Sequence, residues 1–226
     1  MTRRLVLFCD FDGTITEKDN IVAIMRQFAP EGWEELTRQI LAQEISIQEG
    51  VGQLFAMLPS SLREEITRFI TAEAKIRPGF PEFVQFCKER EIELLITSGG
   101  IDFFVYPILE PFGLTGPIYC NGSDFSGDTI RITWPHSCDD HCSNGACGMC
   151  KTTIIRRYDP AETFRVVIGD SITDLAGANI ADFVIARSLL LDTCKELNLP
   201  HQPFATFHDV IDILQTLEAQ LEVEVS

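Results

Sequence analysis

The sequence predicts an α/β protein, a doubly wound parallel sheet with an inserted helical domain, and three features carry that expectation. Nearly continuous apolar runs recur along the chain and stop abruptly at Asp, Ser or Gly, as strands buried on both faces of a parallel sheet do. Helical segments lie beside each run, which implies right-handed crossovers and ligands at the carboxyl ends of the strands. Between the first run and Pro78-Gly79 lies a stretch of more than fifty residues with helical signals and no convincing strand.

Leu5 to Cys9 is the first run. It has a basic start, but its apolar stretch is short and Asp10 cuts it off before any small-residue cleavage site, so it reads as a buried strand and not a secretory leader. Further strands are expected at Ile92 to Thr97, Phe164 to Ile168 and Asp182 to Ala186. In the strand-free stretch, Ser46-Ile47-Gln48-Glu49 and Ser61-Leu62-Arg63-Glu64 both fit the capping box and place two helix starts. Its apolar residues, Met25, Phe28, Trp33, Leu36, Ile40, Leu54, Phe55 and Met57, are expected mainly to pack these helices together. Phe103 to Phe112 reads as a helix, Ile118 to Trp134 as a hairpin with turn residues around Gly122 to Gly127, and His208 to Leu221 as a closing amphipathic helix. The expected organisation is a catalytic core over 1–15 and 77–226 and a helical cap over 16–76, with a hairpin and cysteine-rich loop over 118–150 inserted in the core.

A chain of 226 residues, 45% hydrophobic, is ample for one core and a smaller inserted unit. The formal charge of −16 repels nucleic acid and acidic lipid surfaces. No stretch approaches the roughly 20 apolar residues of a membrane-spanning helix. The expectation is a cytoplasmic monomer or homodimer with neither nucleic-acid nor membrane partners. The same charge repels a small phosphorylated metabolite, so an anionic substrate requires a local positive site made of a metal, a lysine and backbone amides.

Asp10-Phe11-Asp12-Gly13-Thr14 puts two carboxylates at the carboxyl end of a buried strand. An aspartate beside a metal can attack phosphorus, while a second carboxylate protonates the leaving oxygen and later activates water. Asp10 is the candidate nucleophile and Asp12 the candidate acid/base. Gly169-Asp170-Ser171-Ile172-Thr173-Asp174 places another acidic pair at a second strand end. Carboxylates brought together there repel one another unless a hard divalent cation sits among them, and oxygen ligands suit magnesium. Asp10, Asp12, Asp170 and Asp174 are the candidate ligands. Asp12 has its main-chain carbonyl as an alternative donor, and Asp174 can equally cap the following helix.

Ser98-Gly99-Gly100 ends another strand and is expected to open a helix whose terminal amides, with the Ser98 hydroxyl and the Gly99 amide, grip a phosphate; Thr97 is the rival hydroxyl. Phosphoryl transfer also needs a fixed cation. Lys151, the only lysine between Ile101 and Arg165, stands at the start of a helix expected over Thr152 to Tyr158 and is the candidate for catalysis and phosphate binding.

In order, these four motifs resemble those of the haloacid dehalogenase superfamily of phosphatases, and the match spans almost the whole chain. The insertion after the first motif is similar to that superfamily's first type of cap, and Ser98-Gly99-Gly100 to its phosphoserine-phosphatase branch. The resemblance implies a Rossmann-like core, magnesium and an aspartyl-phosphate on Asp10. Within the branch, Pro135-His136-Ser137-Cys138 and the cysteines up to Cys150-Lys151 resemble the methionine-salvage phosphatases, which act on an enol phosphate with a thioether tail. Phosphoserine, phosphocholine or phosphoethanolamine hydrolysis, or a non-catalytic binding protein of the same fold, are the alternatives.

Four of the eight cysteines, Cys138, Cys142, Cys147 and Cys150, fall in one loop with C-x3-C-x4-C-x2-C spacing. Core packing does not explain that density. Structural zinc, with His136 or His141 replacing a sulfur, is one reading; reduced thiols or a disulfide pair are the others.

Overall fold

The apolar runs become the inner strands of one sheet. The computed structural model describes residues 3–223. Strands β1 (Arg4–Cys9), β2 (Glu93–Ile101), β3 (Ile118–Asp124), β4 (Arg131–Thr133), β5 (Thr163–Gly169), β6 (Phe183–Ala186) and β7 (His201–Pro203) pair in the order β4-β3-β2-β1-β5-β6-β7. All neighbours are parallel except the β3–β4 hairpin. Side chains alternate across the sheet, so Leu5, Leu7 and Cys9 join one buried cluster, with Phe80, Phe83, Phe104 and Phe207. Val6 and Phe8 join another, with Leu95, Met149, Ile154 and Val167. Burial on both faces is why β1 reads as an unbroken apolar run.

The chain moves from β1 to β2 and β3 on one side, then returns to β5, β6 and β7 on the other. Loops leaving β1 and β5 therefore diverge, and the crevice between them is where such sheets bind ligands. Cys9 lies opposite Ile168, and the Asp10 amide donates to the Ile168 carbonyl at 2.9 Å. Asp10 and Asp170 thus leave the sheet side by side.

Helices α1 (Asn20–Phe28), α2 (Trp33–Leu41), α3 (Ile47–Ala56) and α4 (Arg63–Glu73) occupy the strand-free stretch. The chain enters and leaves it through adjacent antiparallel segments, with the Glu17 amide on the Lys75 carbonyl and the Arg77 amide on the Ile15 carbonyl, both at 2.8 Å. Met25, Leu54 and Phe55 are buried, and Phe28, Trp33, Leu36 and Ile40 pack against the same cluster. Ser46 caps α3, accepting the Glu49 amide at 3.1 Å. Ser61 caps nothing. It lies inside a 3-10 turn closed by the Leu62 amide on the Pro59 carbonyl, so the helical path has begun before it and α4 starts without a side-chain cap.

Helices α5 (Phe80–Glu89), α6 (Asp102–Leu109), α7 (Lys151–Ile155), α8 (Ile172–Ala178), α9 (Ser188–Glu196) and α10 (Phe207–Val223) complete the fold. A second expectation fails at Ser98-Gly99-Gly100. The strand does not end there; β2 runs through to Ile101 with a register slip against β3 between Thr97 and Ile101, and α6 begins only at Asp102. The helix over Thr152 to Tyr158 is shorter and starts one residue earlier, at Lys151. β7 had no apolar run to announce it, because an edge strand with Pro203 is only partly covered. No helix among the described residues is long and apolar enough to cross a membrane.

Candidate active site

The loops after β1 and β5 bring together the acidic motifs. One oxygen from each of Asp10, Asp170 and Asp174 lies within 4.8 Å of the other two. Asp10 and Asp174 are buried. Asp174 sits in the first turn of α8, where its Oδ2 accepts the Asp170 and Ser171 amides at 3.1 Å each. Its Oδ1 accepts from the Lys151 ammonium, which also reaches Asp10 at 2.5 Å. Asp174 therefore caps its helix and faces the cluster at once. Two glycines permit this crowding. Gly13 holds φ of +82° and a Cβ there would collide with the Asp170 carboxylate, while a Cβ on Gly169 would lie 2.5 Å from the Asp174 carboxyl carbon.

Packing three acids around one lysine in a buried site shifts their protonation. Burial, then the charge of Asp174, raises the Asp10 carboxyl well above its ordinary value, with Lys151 opposing. The same two causes push Asp170 up to about 6. Burial opposes charge on Lys151, but Asp10 and Asp174 outweigh it and hold the ammonium protonated. The cluster is short of positive charge, and its oxygen-only donor set suits a hard divalent cation.

Asp12 is placed differently. Its Oδ1 accepts the main-chain amide of Asn20 at 2.9 Å and the side-chain amide of Asn20 at 2.7 Å. Its carboxylate does not belong to the cluster of three, which leaves its main-chain carbonyl for a metal. Burial, assisted by the charge of Asp19, pushes the Asp12 carboxyl up to about 7 while the Asn20 bonds pull it down. Such a group can give and take a proton near neutrality. Ser98 is buried and its Oγ accepts the Gly100 amide at 2.9 Å. A Cβ added to Gly100 would lie 3.0 Å from both the Ser98 hydroxyl and Asp12 Oδ2, so these groups border one small space. Gly99 faces open space, and its carbonyl accepts the Asn121 side-chain amide at 2.8 Å. Thr97, the rival hydroxyl, is also buried.

Three residues of this site had not been singled out. Asn20 holds Asp12. Arg77 donates to the carbonyls of Gly13 and Thr14, both at 2.7 Å, and Arg187 donates to the Gly13 carbonyl at 2.8 Å. Two guanidiniums thus clamp the loop that carries Asp12. No local motif marks Asn20 or Arg77; Arg187 had one available signal, its position just beyond the carboxyl end of β6.

The four cysteines of the loop converge as well, with one Sγ from each within 4.8 Å of the others and Cys142 3.7 Å from Cys147. Neither His136 nor His141 belongs to the cluster, and the His136 ring lies edge-on to Tyr119 at 5.1 Å. Cys9, Cys87, Cys120 and Cys194 are buried elsewhere.

Comparison with known proteins adds three findings. The family model of haloacid dehalogenase-like hydrolases matches residues 7–179. A 2-hydroxy-3-keto-5-methylthiopentenyl-1-phosphate phosphatase of Brevibacillus brevis is 72% identical over 222 residues, covering 98% of this chain and 100% of its own. The protein of the same name from Geobacillus kaustophilus is 63% identical over 220 residues, covering 96% and 99%. Among solved structures, a phosphoaspartyl intermediate analogue of phosphoserine phosphatase matches with a TM-score of 0.68 at 17% identity, covering 94% of this chain and 99% of that one. An unliganded probable phosphoserine phosphatase from Vibrio cholerae matches with a TM-score of 0.72 at 18% identity, covering 98% and 67%. At such identities the structural likeness speaks for the fold.

Proposed function

This chain belongs to the haloacid dehalogenase-like hydrolase family and is a phosphoric monoester hydrolase; from that premise we propose that it hydrolyses 2-hydroxy-3-keto-5-methylthiopentenyl 1-phosphate, releasing the acireductone in methionine salvage. The reading of the substrate rests on the 72% identity, over essentially full length, to a relative of that name. The reading of the mechanism rests on one observation, the placement of Asp12, held by Asn20 and facing the same small space as the Ser98 hydroxyl, two residues after the buried, lysine-paired Asp10.

In this mechanism a carboxylate oxygen of Asp10 attacks phosphorus and the bond from phosphorus to the enol oxygen breaks. Asp12 gives its proton to that oxygen. The product leaves, Asp12 takes a proton from water, and the water oxygen attacks the phosphorus of the Asp10 acyl phosphate, releasing orthophosphate and regenerating the carboxylate. Lys151 balances charge on the phosphoryl oxygens and favours the ionised form of Asp10 against the burial that opposes it, while Ser98 and the Gly99 amide hold the phosphate. Magnesium would be held by Asp10, Asp170 and the Asp12 main-chain carbonyl with Asp174 behind them, and when bound it neutralises phosphoryl charge. The expected setting is the cytoplasm, as a monomer or homodimer.

The test is steady-state hydrolysis of a panel containing the enol phosphate, phosphoserine, phosphocholine and phosphoethanolamine, with magnesium present. A kcat/KM for the enol phosphate about 10²-fold above the rest is expected, since a pocket built for a distinct polar pattern discriminates at that level or better. A preference for phosphoserine or phosphocholine would reject the substrate.

A further inference from the structure

The cysteine loop takes no part in that chemistry, yet it ends on the residue before Lys151. We propose that Cys138, Cys142, Cys147 and Cys150 hold one structural zinc ion, which fixes the loop that delivers Lys151 and docks against the helical insertion.

Geometry carries the proposal. A tetrahedral zinc with sulfur bonds of about 2.3 Å spaces its ligand sulfurs about 3.8 Å apart. The four sulfurs already lie within 4.8 Å of one another, and Cys142 and Cys147 are 3.7 Å apart, the edge of such a tetrahedron. A disulfide would need about 2.05 Å and would use two of the four. Four soft sulfur donors with no oxygen ligand select zinc over magnesium or calcium. They also fill its coordination sphere, so the ion is structural and takes no substrate.

Asp139 anchors the loop at one point, its amide donating to Thr153 Oγ1 at 3.0 Å and its carboxylate accepting from Arg156, but no hydrophobic burial gathers the sulfurs. From Pro135 to Cys147 no residue is buried and there is no helix or strand. Ala146 nevertheless adopts a left-handed φ of +45°, a conformation that costs an L residue steric strain. A short, strained segment with no buried residue before Gly148 does not converge four thiols by hydrophobic burial, whereas a metal does so directly.

Two contacts give the ion its consequence. At the loop's neck the Cys150 amide donates to the His136 carbonyl at 3.0 Å, and Lys151 follows at once as the first residue of α7, its ammonium on Asp10 at 2.5 Å. At the loop's far side the Ala146 carbonyl accepts the Gln48 amide from the first turn of α3 at 3.1 Å. The zinc therefore stands between the helical insertion and the lysine of the acidic cluster.

The experiment is elemental analysis of the full chain purified without chelator or added metal, then dialysed against excess magnesium. About one zinc per chain is expected, retained in Asp10→Asn and lost in the Cys142→Ser, Cys147→Ser double variant, because four thiolates make the site. Should that variant fail to fold, the wild-type protein decides the matter: organomercurial titration should release the same zinc to a chromogenic dye. Exchange for cobalt should give the intense thiolate-to-metal absorption of a tetrahedral sulfur site. Loss of the ion should lower kcat/KM about tenfold, the scale at which supporting ligands act on a site they orient. Metal-free wild-type protein, stoichiometric iron in its place, a Cys142–Cys147 disulfide, or zinc lost in Asp10→Asn would each overturn the proposal. The metal count is read without any substrate, so it stands or falls separately from the activity proposed above.

Discussion

The two side-chain clusters that meet at Lys151 are built in opposite ways. Asp10 comes from one end of the chain and Asp170 and Asp174 from a motif some 160 residues later, and neighbouring strands with a packed core beneath them bring the two together. Their framework is rigid and its cost is electrostatic, since three acids lie together and one lysine pairs with only two of them, Asp10 and Asp174. The four cysteines come from one loop without a buried residue before Gly148. Their cost is conformational. The first cluster is preorganised by the fold before any ligand arrives, which is what transition-state stabilisation requires; the second depends on its own ligand for its shape.

Asp10→Asn should break the contrast most visibly if it is wrong. Turnover should fall by ~10³-fold or more, as for removal of a covalent nucleophile. The melting temperature should stay level or rise, because one of three clustered acids is gone while Asp174 still pairs with Lys151. A few per cent of residual activity, or a large loss of stability, would contradict both the nucleophile and the preorganised framework.

Asp12→Asn should cost about 10²- to 10⁴-fold with the natural substrate. With an activated aryl phosphate, whose leaving group needs no proton, the first step should survive and phosphoenzyme should accumulate as a burst. An unchanged steady-state rate would remove Asp12 from the mechanism.

Asn20→Ala sharpens the comparison by loosening one contact supplied by the insertion. Both Asn20 hydrogen bonds favour the ionised form of Asp12; the alanine keeps the main-chain one and loses the side-chain one, so the carboxyl should titrate above about 7. Protonated Asp12 is the form needed for attack on substrate, so the falling alkaline limb of kcat/KM should move to higher pH. Activity at neutral pH should drop about tenfold, in keeping with a lost hydrogen bond to a charged group. An unmoved limb would mean that Asp12 does not control it.

The smallest effect is expected far from both clusters. Asp182 accepts the Arg165 amide at 2.9 Å and pairs with Arg3 and Arg165, which together outweigh burial and lower its carboxyl. A depressed carboxyl contributes stability above its unfolded value and loses it as pH falls through the folded one. Asp182→Asn should therefore cost about 1 kcal/mol at pH 7, a deficit that shrinks below about pH 4. Denaturant unfolding at the two pH values checks this, and a deficit that grew in acid would reverse the sign.

Strand runs such as Leu5 to Cys9, and the acids that punctuate them, were legible from the sequence because burial on both faces of a parallel sheet is written residue by residue. So were the helical stretch before Pro78 and the motif order that marks the family. A local reading could go astray even so: Ser61 matches a capping box yet lies inside a turn begun by Pro59, and Ser98-Gly99-Gly100 looks like a helix start yet runs extended to Ile101. Only the tertiary structure decided that Asn20 holds Asp12, that Arg77 and Arg187 clamp the Gly13 carbonyl, that Asp174 both caps α8 and meets Lys151, and that four sulfurs converge. The meetings at Gly13 and Lys151 depend on strand register and on the path of each crossover, which join residues far apart in the chain, and the closer ones depend on how a loop or an insertion folds back on itself; neither leaves a periodicity in the sequence to read.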